Sequence, residues 1–343
     1  MINGHGDDAY TYSTAIVSDF SSNVYNRQNL SGLKAHLRHS MESIEHYPEP
    51  APYLLEAQLA AYHHLQPTEV CVTSGATEAI YLIAQTFRGT HSAVVQPTFS
   101  EYADACRMHA HPLTSLYRLP DVHEHYRLPA DVRMLWLCNP NNPTGGVIER
   151  SHLQALLQQN PEVLFVVDQS YEAFTLAPIL SASEGTRLPN LLLLHSLTKR
   201  YGIPGLRLGY VTGCTGLLQR LRSHRIPWSV NSLAIQGGLY LTNHPSEATF
   251  PLETYLQETE RLRNRLLQLK VIDVWETQTH FMLCRLRFGN ASALKEYLAH
   301  THGILIRDAS NFEGLDEHFF RITTQRPEEN DRLVQAIEAF IAL

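Results

Sequence analysis

Short runs of uninterrupted apolar residues alternate with helical stretches between residues 69 and 212 of this 343-residue chain. A run that is apolar throughout, such as Val163–Val167, is typical of a strand buried on both faces. Such strands, separated by helices, predict an α/β fold with a mostly parallel sheet sandwiched by helices. The runs that carry the pattern are Glu69–Thr73, Ala93–Val95, Met134–Cys138, Val163–Val167, Leu191–His195 and Leu208–Thr212.

The pattern changes near Asn231, where long helical stretches over residues 231–242 and 248–269 replace the alternation. Further strand and helix patterns predict a smaller α+β domain after them. We therefore predict a large domain over residues 31–235 and a small C-terminal domain over residues 236–343. Residues 1–30 are polar and irregular, which predicts an N-terminal arm or lid that packs with the small domain.

The composition excludes several classes of protein. The chain has 27 Lys+Arg against 34 Asp+Glu, and its net charge of −7 disfavours nucleic acid or an anionic membrane as a partner. No apolar run approaches the ~18–20 residues that a membrane helix needs. The five cysteines form no Cys-x-x-Cys pair, which indicates a reduced, cytoplasmic protein. The 19 histidines form no compact ligand motif, so we expect no metal site.

Polar segments follow three of the predicted strands, at the sheet edge where open α/β folds bind ligands. Ser74–Thr77 opens a helix and could present backbone N–H groups to an anion, although it also fits an ordinary N-cap turn. Asn139–Gly146 combines two prolines with asparagine amides, which indicates either a rigid ligand-binding loop or only a rigid turn. Asp168 follows Val163–Val167 and needs a partner there, either a cationic ring nitrogen or other hydrogen-bond donors.

A fourth segment, Ser196–Tyr210, contains one of only four lysines in the chain. Two hydroxyls, Ser196 and Thr198, precede Lys199, and Arg207 follows eight residues later. Hydroxyls and a guanidinium suit a phosphate group. A partly desolvated lysine amine beside cationic neighbours suits a Schiff base, which arginine cannot form.

The order and spacing of these four segments resemble those of the fold-type I pyridoxal 5'-phosphate (PLP) enzymes, the aspartate aminotransferase superfamily. The resemblance covers nearly the whole chain and implies PLP as the cofactor. It implies that Lys199 binds PLP covalently and carries protons, and that Asp168 keeps the pyridine nitrogen protonated. Asn142 and Tyr171 would hydrogen-bond the ring 3′-oxygen, and Phe99 would stack on the ring. The remaining cofactor contacts implied are Ser74, Gly75, Ala76, Thr77, Ser196, Thr198 and Arg207.

Tyr47, in a Tyr-Pro-Glu-Pro turn, resembles the tyrosine that reaches the phosphate of the neighbouring subunit in this superfamily. The resemblance thus implies a homodimer with shared active sites.

Within the superfamily, the chain is similar to the branch of histidinol-phosphate aminotransferases, which also contains L-threonine O-3-phosphate decarboxylases. His5-Gly6, then Asp19–Asn23, and later Ile306–Leu315 resemble segments of the decarboxylases. The chain differs from the decarboxylases in two places. Their Gly-Gly corresponds to Gly6-Asp7 here, and their Asn-x-Asn-Pro corresponds to Asn23–Asn26.

We expect the substrate, a phosphorylated amino acid, to be bound by His5, Asn23, Arg321 and Arg326. Arg307 and Asn311 either help or are structural, and surface ion pairs are the alternative interpretation for Arg321 and Arg326. The expected activity is PLP-dependent decarboxylation, with a histidinol-phosphate or related aminotransferase as the alternative. A regulatory module is a third interpretation, which the intact Lys199 segment disfavours.

Overall fold

The computed structural model describes residues 6–119, 128–245 and 249–343. Its strands, numbered along the chain, are β1 (Ser18–Asp19), β2 (Val70–Thr73), β3 (Ser92–Val95), β4 (Leu113–Leu116), β5 (Met134–Cys138), β6 (Leu164–Asp168), β7 (Leu191–Ser196), β8 (Gly209–Gly213), β9 (Ile272–Val274), β10 (Phe281–Leu286), β11 (Ile304–Leu305), β12 (Arg307–Asp308) and β13 (Phe319–Thr323).

The α-helices follow the amphipathic stretches of the sequence. They are α1 (Ser31–His39), α2 (Tyr53–His63), α3 (Gly75–Thr86), α4 (Glu101–Met108), α5 (Arg150–Gln159), α6 (Ala182–Gly185), α7 (Leu197–Tyr201), α8 (Thr215–Arg222), α9 (Ser232–Asn243), α10 (Leu252–Gln268), α11 (Ala291–His302) and α12 (Pro327–Ile341). The helix expected over residues 31–46 ends at His39 and continues as a 3₁₀ turn over Met41–Glu45.

Seven strands form the large sheet, in the order β2-β8-β7-β6-β5-β3-β4. β3 to β7 run parallel, and β8 is antiparallel to both of its neighbours. Along β7, Leu192 and Leu194 join one hydrophobic cluster, whereas Leu191 and Leu193 join another. Alternate residues of one strand thus lie in two cores, and the predicted sheet covered on both faces is confirmed.

A second sheet, β12-β13-β10-β9, is antiparallel throughout. Its core packs against α10, α11 and α12, and includes Phe20 from the N-terminal segment. β1 pairs in parallel with β11, so that Ser18 lies opposite Ile304. Residues 18–20 therefore pack with the C-terminal part of the chain, although they precede the large sheet in sequence.

Helix α9 packs with the large sheet, which affects where the boundary between the two domains lies. Ala234 and Leu241 of α9 share a hydrophobic cluster with Leu55 and Leu59 of α2, which covers the large sheet. We propose that the domain boundary lies after α9, rather than at the predicted residue 235. Among the described residues, no helix is both long and apolar enough to cross a bilayer.

Candidate active site

A cavity lies where β5, β6 and β7 end and α3 begins. The short segments after these strands bring the cofactor residues predicted from the sequence to one place, because parallel strands end at the same sheet edge. The cavity is lined by Ala76, Thr77, Ile80, Phe99, Tyr102, Cys138, Asn142, Asp168, Ser170, Tyr171, Ser196, Thr198, Lys199 and Arg207.

One end of the cavity is an anion cradle at the N-terminus of α3. Ser74 is the N-cap residue of α3, and Gly75 follows with a φ of 82°. A Cβ atom at Gly75 would lie 2.7 Å from Nη2 of Arg207, so only glycine lets this guanidinium approach the helix end. The free N–H groups of α3, the guanidinium and the hydroxyls of Ser196 and Thr198 together suit a phosphate.

Asp168 is buried at the end of β6, and two donors hold its carboxylate. The Tyr102 hydroxyl donates a hydrogen bond to Oδ2 at 2.8 Å, and the Ser170 N–H donates to Oδ1 at 2.8 Å. The Tyr102 ring in turn stacks on Trp136 at a centroid distance of 5.8 Å. This role of Tyr102 was not predicted from the sequence. The available signal was its position at the start of α4, three residues after Phe99.

Lys199 is half-buried in the lining between the cradle and Asp168. Desolvation, with the positive charges of Arg321 and Arg207, lowers the pKa of its amine to about 8. A larger fraction of neutral amine is therefore present near neutral pH, which favours Schiff-base formation. The Tyr25 N–H donates to the Lys199 carbonyl at 3.0 Å, so the N-terminal segment contacts this turn directly.

Two arginines of the small sheet line the substrate side. Arg307 on β12 and Arg321 on β13 are directly opposite in register, and both are buried. Arg321 donates through Nη1 to Oδ1 of Asn142 at 2.5 Å and through Nη2 to the Ser21 carbonyl. Arg307 donates through Nη2 to Oδ1 of Asn311 at 2.6 Å. Phe99, Asn142, Asn311 and both arginines line one pocket.

Asn23 connects the N-terminal segment to both sides of the site. Its amide nitrogen donates to the Tyr171 hydroxyl at 3.3 Å, and its amide oxygen accepts from Thr323 at 2.7 Å. Burial raises the pKa of Tyr171, so the phenol stays protonated near neutral pH.

Three residues named from the sequence are not part of this cluster. Arg326 is exposed at the N-cap of α12 and lines a separate surface depression with Asn26, Arg27 and Arg332. Arg307, by contrast, lines the same pocket as Arg321. Tyr47 is 85% exposed and packs on Trp228 at 5.4 Å, outside the cavity lining. His5 lies outside the described residues.

The residues present fit PLP, which the resemblance implied. The cradle formed by Gly75 and Arg207 suits a phosphate, and the buried Asp168 carboxylate suits a cationic ring nitrogen. Fold and site together thus define a PLP-dependent enzyme of fold type I. The chain belongs to the aminotransferase class I and II family, whose model matches residues 15–337, and its cofactor is PLP.

Two curated relatives illustrate the range of activities in this family. The threonine-phosphate decarboxylase of Salmonella typhimurium is 29% identical over 334 residues, covering 93% of this chain and 90% of the relative. The histidinol-phosphate aminotransferase of Thermoanaerobacter pseudethanolicus is 31% identical over 313 residues, covering 86% and 84%. A crystal structure of L-threonine-O-3-phosphate decarboxylase from Porphyromonas gingivalis aligns with a TM-score of 0.92 at 37% identity, covering 95% and 100%.

Proposed function

We propose that this enzyme decarboxylates L-threonine O-3-phosphate to (R)-1-amino-2-propanol O-2-phosphate, a step of cobalamin biosynthesis. The observation that carries the proposal is the cross-strand pair Arg307 and Arg321 beside the cofactor cavity. Like charges directly opposite on a sheet are destabilising, and burial increases the cost. A bound phosphate dianion would balance both guanidinium charges, whereas a carboxylate would balance one of them. The similarity to the two threonine-phosphate decarboxylases supports the same assignment.

In this proposal PLP, when bound, supplies an electron sink for the negative charge that develops at the substrate Cα. The protein decides which bond to Cα breaks, because only a bond perpendicular to the ring plane overlaps its π system. Arg307 and Arg321 would hold the phosphate and so turn the carboxylate toward that direction. The Lys199 amine lies on the cavity wall and would deliver the proton that replaces the departing CO₂.

The second candidate is transamination of histidinol phosphate or a related amino acid. Its support is the 31% identity to a histidinol-phosphate aminotransferase, together with a cofactor side that both reactions would use unchanged. In that reaction Lys199 would remove the Cα proton instead; the amino group would leave Cα, and the bonds from Cα to carbon would stay intact. The two candidates therefore differ in how the arginine pair orients the substrate.

We also propose a cytoplasmic homodimer with shared active sites. Support comes from large apolar side chains left exposed around Tyr47: Met41, Ile44, Tyr53, Leu54, Ile226 and Trp228. A second copy covering this surface would bury it and bring Tyr47 near the partner's phosphate cradle.

The decisive experiment is incubation of the PLP-loaded enzyme with L-threonine O-3-phosphate without any keto acid, with CO₂ and the amino alcohol phosphate quantified. Equimolar CO₂ and amine support decarboxylation. A parallel reaction receives histidinol phosphate and 2-oxoglutarate, and formation of glutamate only in that reaction would replace the first proposal with the second. A Lys199→Ala variant in both reactions controls for uncatalysed chemistry.

A further inference from the structure

The loop that joins β12 to β13, residues 309–318, contacts the arginine pair on one side and the large sheet on the other. On the first side, Asn311 accepts a hydrogen bond from Nη2 of Arg307 at 2.6 Å, and the Phe312 ring centroid lies 5.3 Å from the Arg307 guanidinium carbon. Asn311 and Phe312 line the pocket that also contains Arg307 and Arg321. The position of Arg307 in that pocket therefore depends on where this β12–β13 loop lies.

Glu313, the next residue of the loop, contacts the large sheet. Its Oε1 accepts hydrogen bonds from the Ser115 hydroxyl and, at 3.2 Å, from the Tyr117 hydroxyl, and its Oε2 accepts from Nε2 of Gln96 at 3.3 Å. Ser115 lies on the edge strand β4, and Gln96 directly follows β3. The loop also packs closely there, because a Cβ atom at Gly314 would lie 2.8 Å from Cε1 of Tyr117. One carboxylate thus joins the β12–β13 loop to two neighbouring strands.

Gln96 extends this connection to the cofactor cavity. Its amide oxygen accepts a hydrogen bond from the Thr98 N–H at 3.1 Å, and Phe99 is the next residue. Phe99 lines both the cofactor cavity and the pocket of the arginine pair. Two walls of that pocket, one carrying Arg307 and the other Phe99, are therefore connected through the Glu313 carboxylate.

We propose that Glu313 is a positioning residue, which fixes the β12–β13 loop to the large sheet and thereby holds Arg307 where it can bind the substrate anion. A side chain already held in place loses less conformational entropy on binding, so affinity rises without a new contact. Direct electrostatics would act in the opposite direction, because a carboxylate repels an anion. The inference rests on the proposed binding of an anion by Arg307 and Arg321.

The test is equilibrium binding of inorganic sulfate to the PLP-loaded protein, measured by isothermal titration calorimetry. Glu313→Ala removes both acceptor oxygens, whereas Glu313→Gln keeps one for the two hydroxyls. Ser115→Ala removes a donor on the opposite side of the contact. Glu317→Ala is the matched control, since it removes an exposed carboxylate of the same loop that lies 3.7 Å from His318 instead. Glu313→Ala is also combined with Arg307→Lys.

We expect Glu313→Ala to bind sulfate roughly tenfold more weakly than the wild type, and Glu313→Gln and Ser115→Ala about threefold more weakly. Glu317→Ala should leave the affinity unchanged. In the Arg307→Lys background, Glu313→Ala should cause little further loss, because both substitutions act on the same group. Ser115→Ala keeps the test decisive if Glu313→Ala does not fold.

The proposal would be overturned by unchanged or tighter sulfate binding in the Glu313 and Ser115 variants, or by an equal loss in Glu317→Ala. Losses that add fully to that of Arg307→Lys, or a wild type that binds no sulfate, would overturn it as well. CO₂ release is measured separately, so its absence would refute the decarboxylase assignment without deciding the role of Glu313.

Discussion

The cofactor side and the substrate side of the cavity are built in different ways. On the cofactor side, Asp168 ends β6, Ser196 ends β7 and Gly75 begins α3, so each residue belongs to a short segment next to a strand or helix end. On the substrate side, Asn23 contacts Thr323 and Ser21 contacts Arg321, and the partners of each pair are 300 positions apart in the chain.

This difference determines what each side can specify. A residue at the end of a sheet strand is positioned by the whole sheet, so the cofactor contacts are fixed by a rigid scaffold. The substrate side depends on how the N-terminal segment and the small sheet meet. Changes on the cofactor side should therefore alter PLP binding, whereas changes on the substrate side should alter which ligand is accepted.

The largest expected effect is on the cofactor side. Lys199→Ala should abolish covalent capture of PLP and lower turnover by at least ~10³-fold, because a nucleophile and proton carrier is lost. Borohydride reduction followed by mass spectrometry detects the pyridoxyl-lysine. Lys295→Ala is the control, and a pyridoxyl group still attached in Lys199→Ala would contradict the assignment.

On the substrate side, Arg321→Lys and Arg307→Lys should each lower kcat/KM by ~10–100-fold, because lysine keeps the charge but not the paired donors. PLP affinity should change little. Arg326→Lys should stay within about twofold of the wild type, since that side chain is exposed outside the cavity. Steady-state kinetics measures kcat/KM for each variant. A larger decrease of kcat/KM in Arg326→Lys than in Arg307→Lys would support the prediction from the sequence that Arg326 binds the substrate.

Gly75→Ala should weaken PLP binding by ~10-fold, because a positive φ costs a residue with a side chain about 1–2 kcal/mol and its Cβ displaces Arg207. Gly216→Ala is a suitable control, since a Cβ built there meets no atom of the described residues within 4 Å beyond its own stretch of helix. Fluorescence titration with PLP measures both. Equal affinity in the two variants would mean that Arg207 does not form the cradle.

Tyr102→Phe removes one hydrogen bond to Asp168, which corresponds to about 1 kcal/mol or a roughly fivefold loss of PLP affinity. Tyr12→Phe removes a comparable hydrogen bond, to Glu296 at 2.7 Å, on the protein surface and should have no effect. The prediction fails if the two variants have the same PLP affinity.

The smallest effect tests whether the two sides are independent. In the PLP-free protein, the rate of PLP capture should rise with pH and reach half its maximum near about 8, because the neutral Lys199 amine reacts. Arg321 lowers the pKa of Lys199, so Arg321→Gln should move this midpoint upward and slow capture at neutral pH. Stopped-flow absorbance against pH measures the shift, and an unchanged midpoint would show that the sides are electrostatically separate.

The same division explains what the sequence could predict. β5 was predicted at both ends, because the run Met134–Cys138 is apolar throughout and polar residues flank it. β4 was missed, since Leu113–Leu116 carries Thr and Ser on an edge strand and lacks a continuous apolar run. The cofactor segments could be placed together because strand ends share an edge. The position of Arg307 opposite Arg321 could not be predicted in this way, because it depends on the register between β12 and β13.

The pairing of residues 18–25 with distant parts of the chain has a consequence during protein synthesis. Ser18 pairs with Ile304, and Tyr25 donates to the Lys199 carbonyl. At ~5–20 residues per second, the ribosome would complete the small sheet roughly 15–60 s after residues 18–25 have been made. The large sheet can form in that interval, whereas the wall that faces the substrate must wait for the last strands. A translating chain would therefore be able to acquire its cofactor before it can select a substrate.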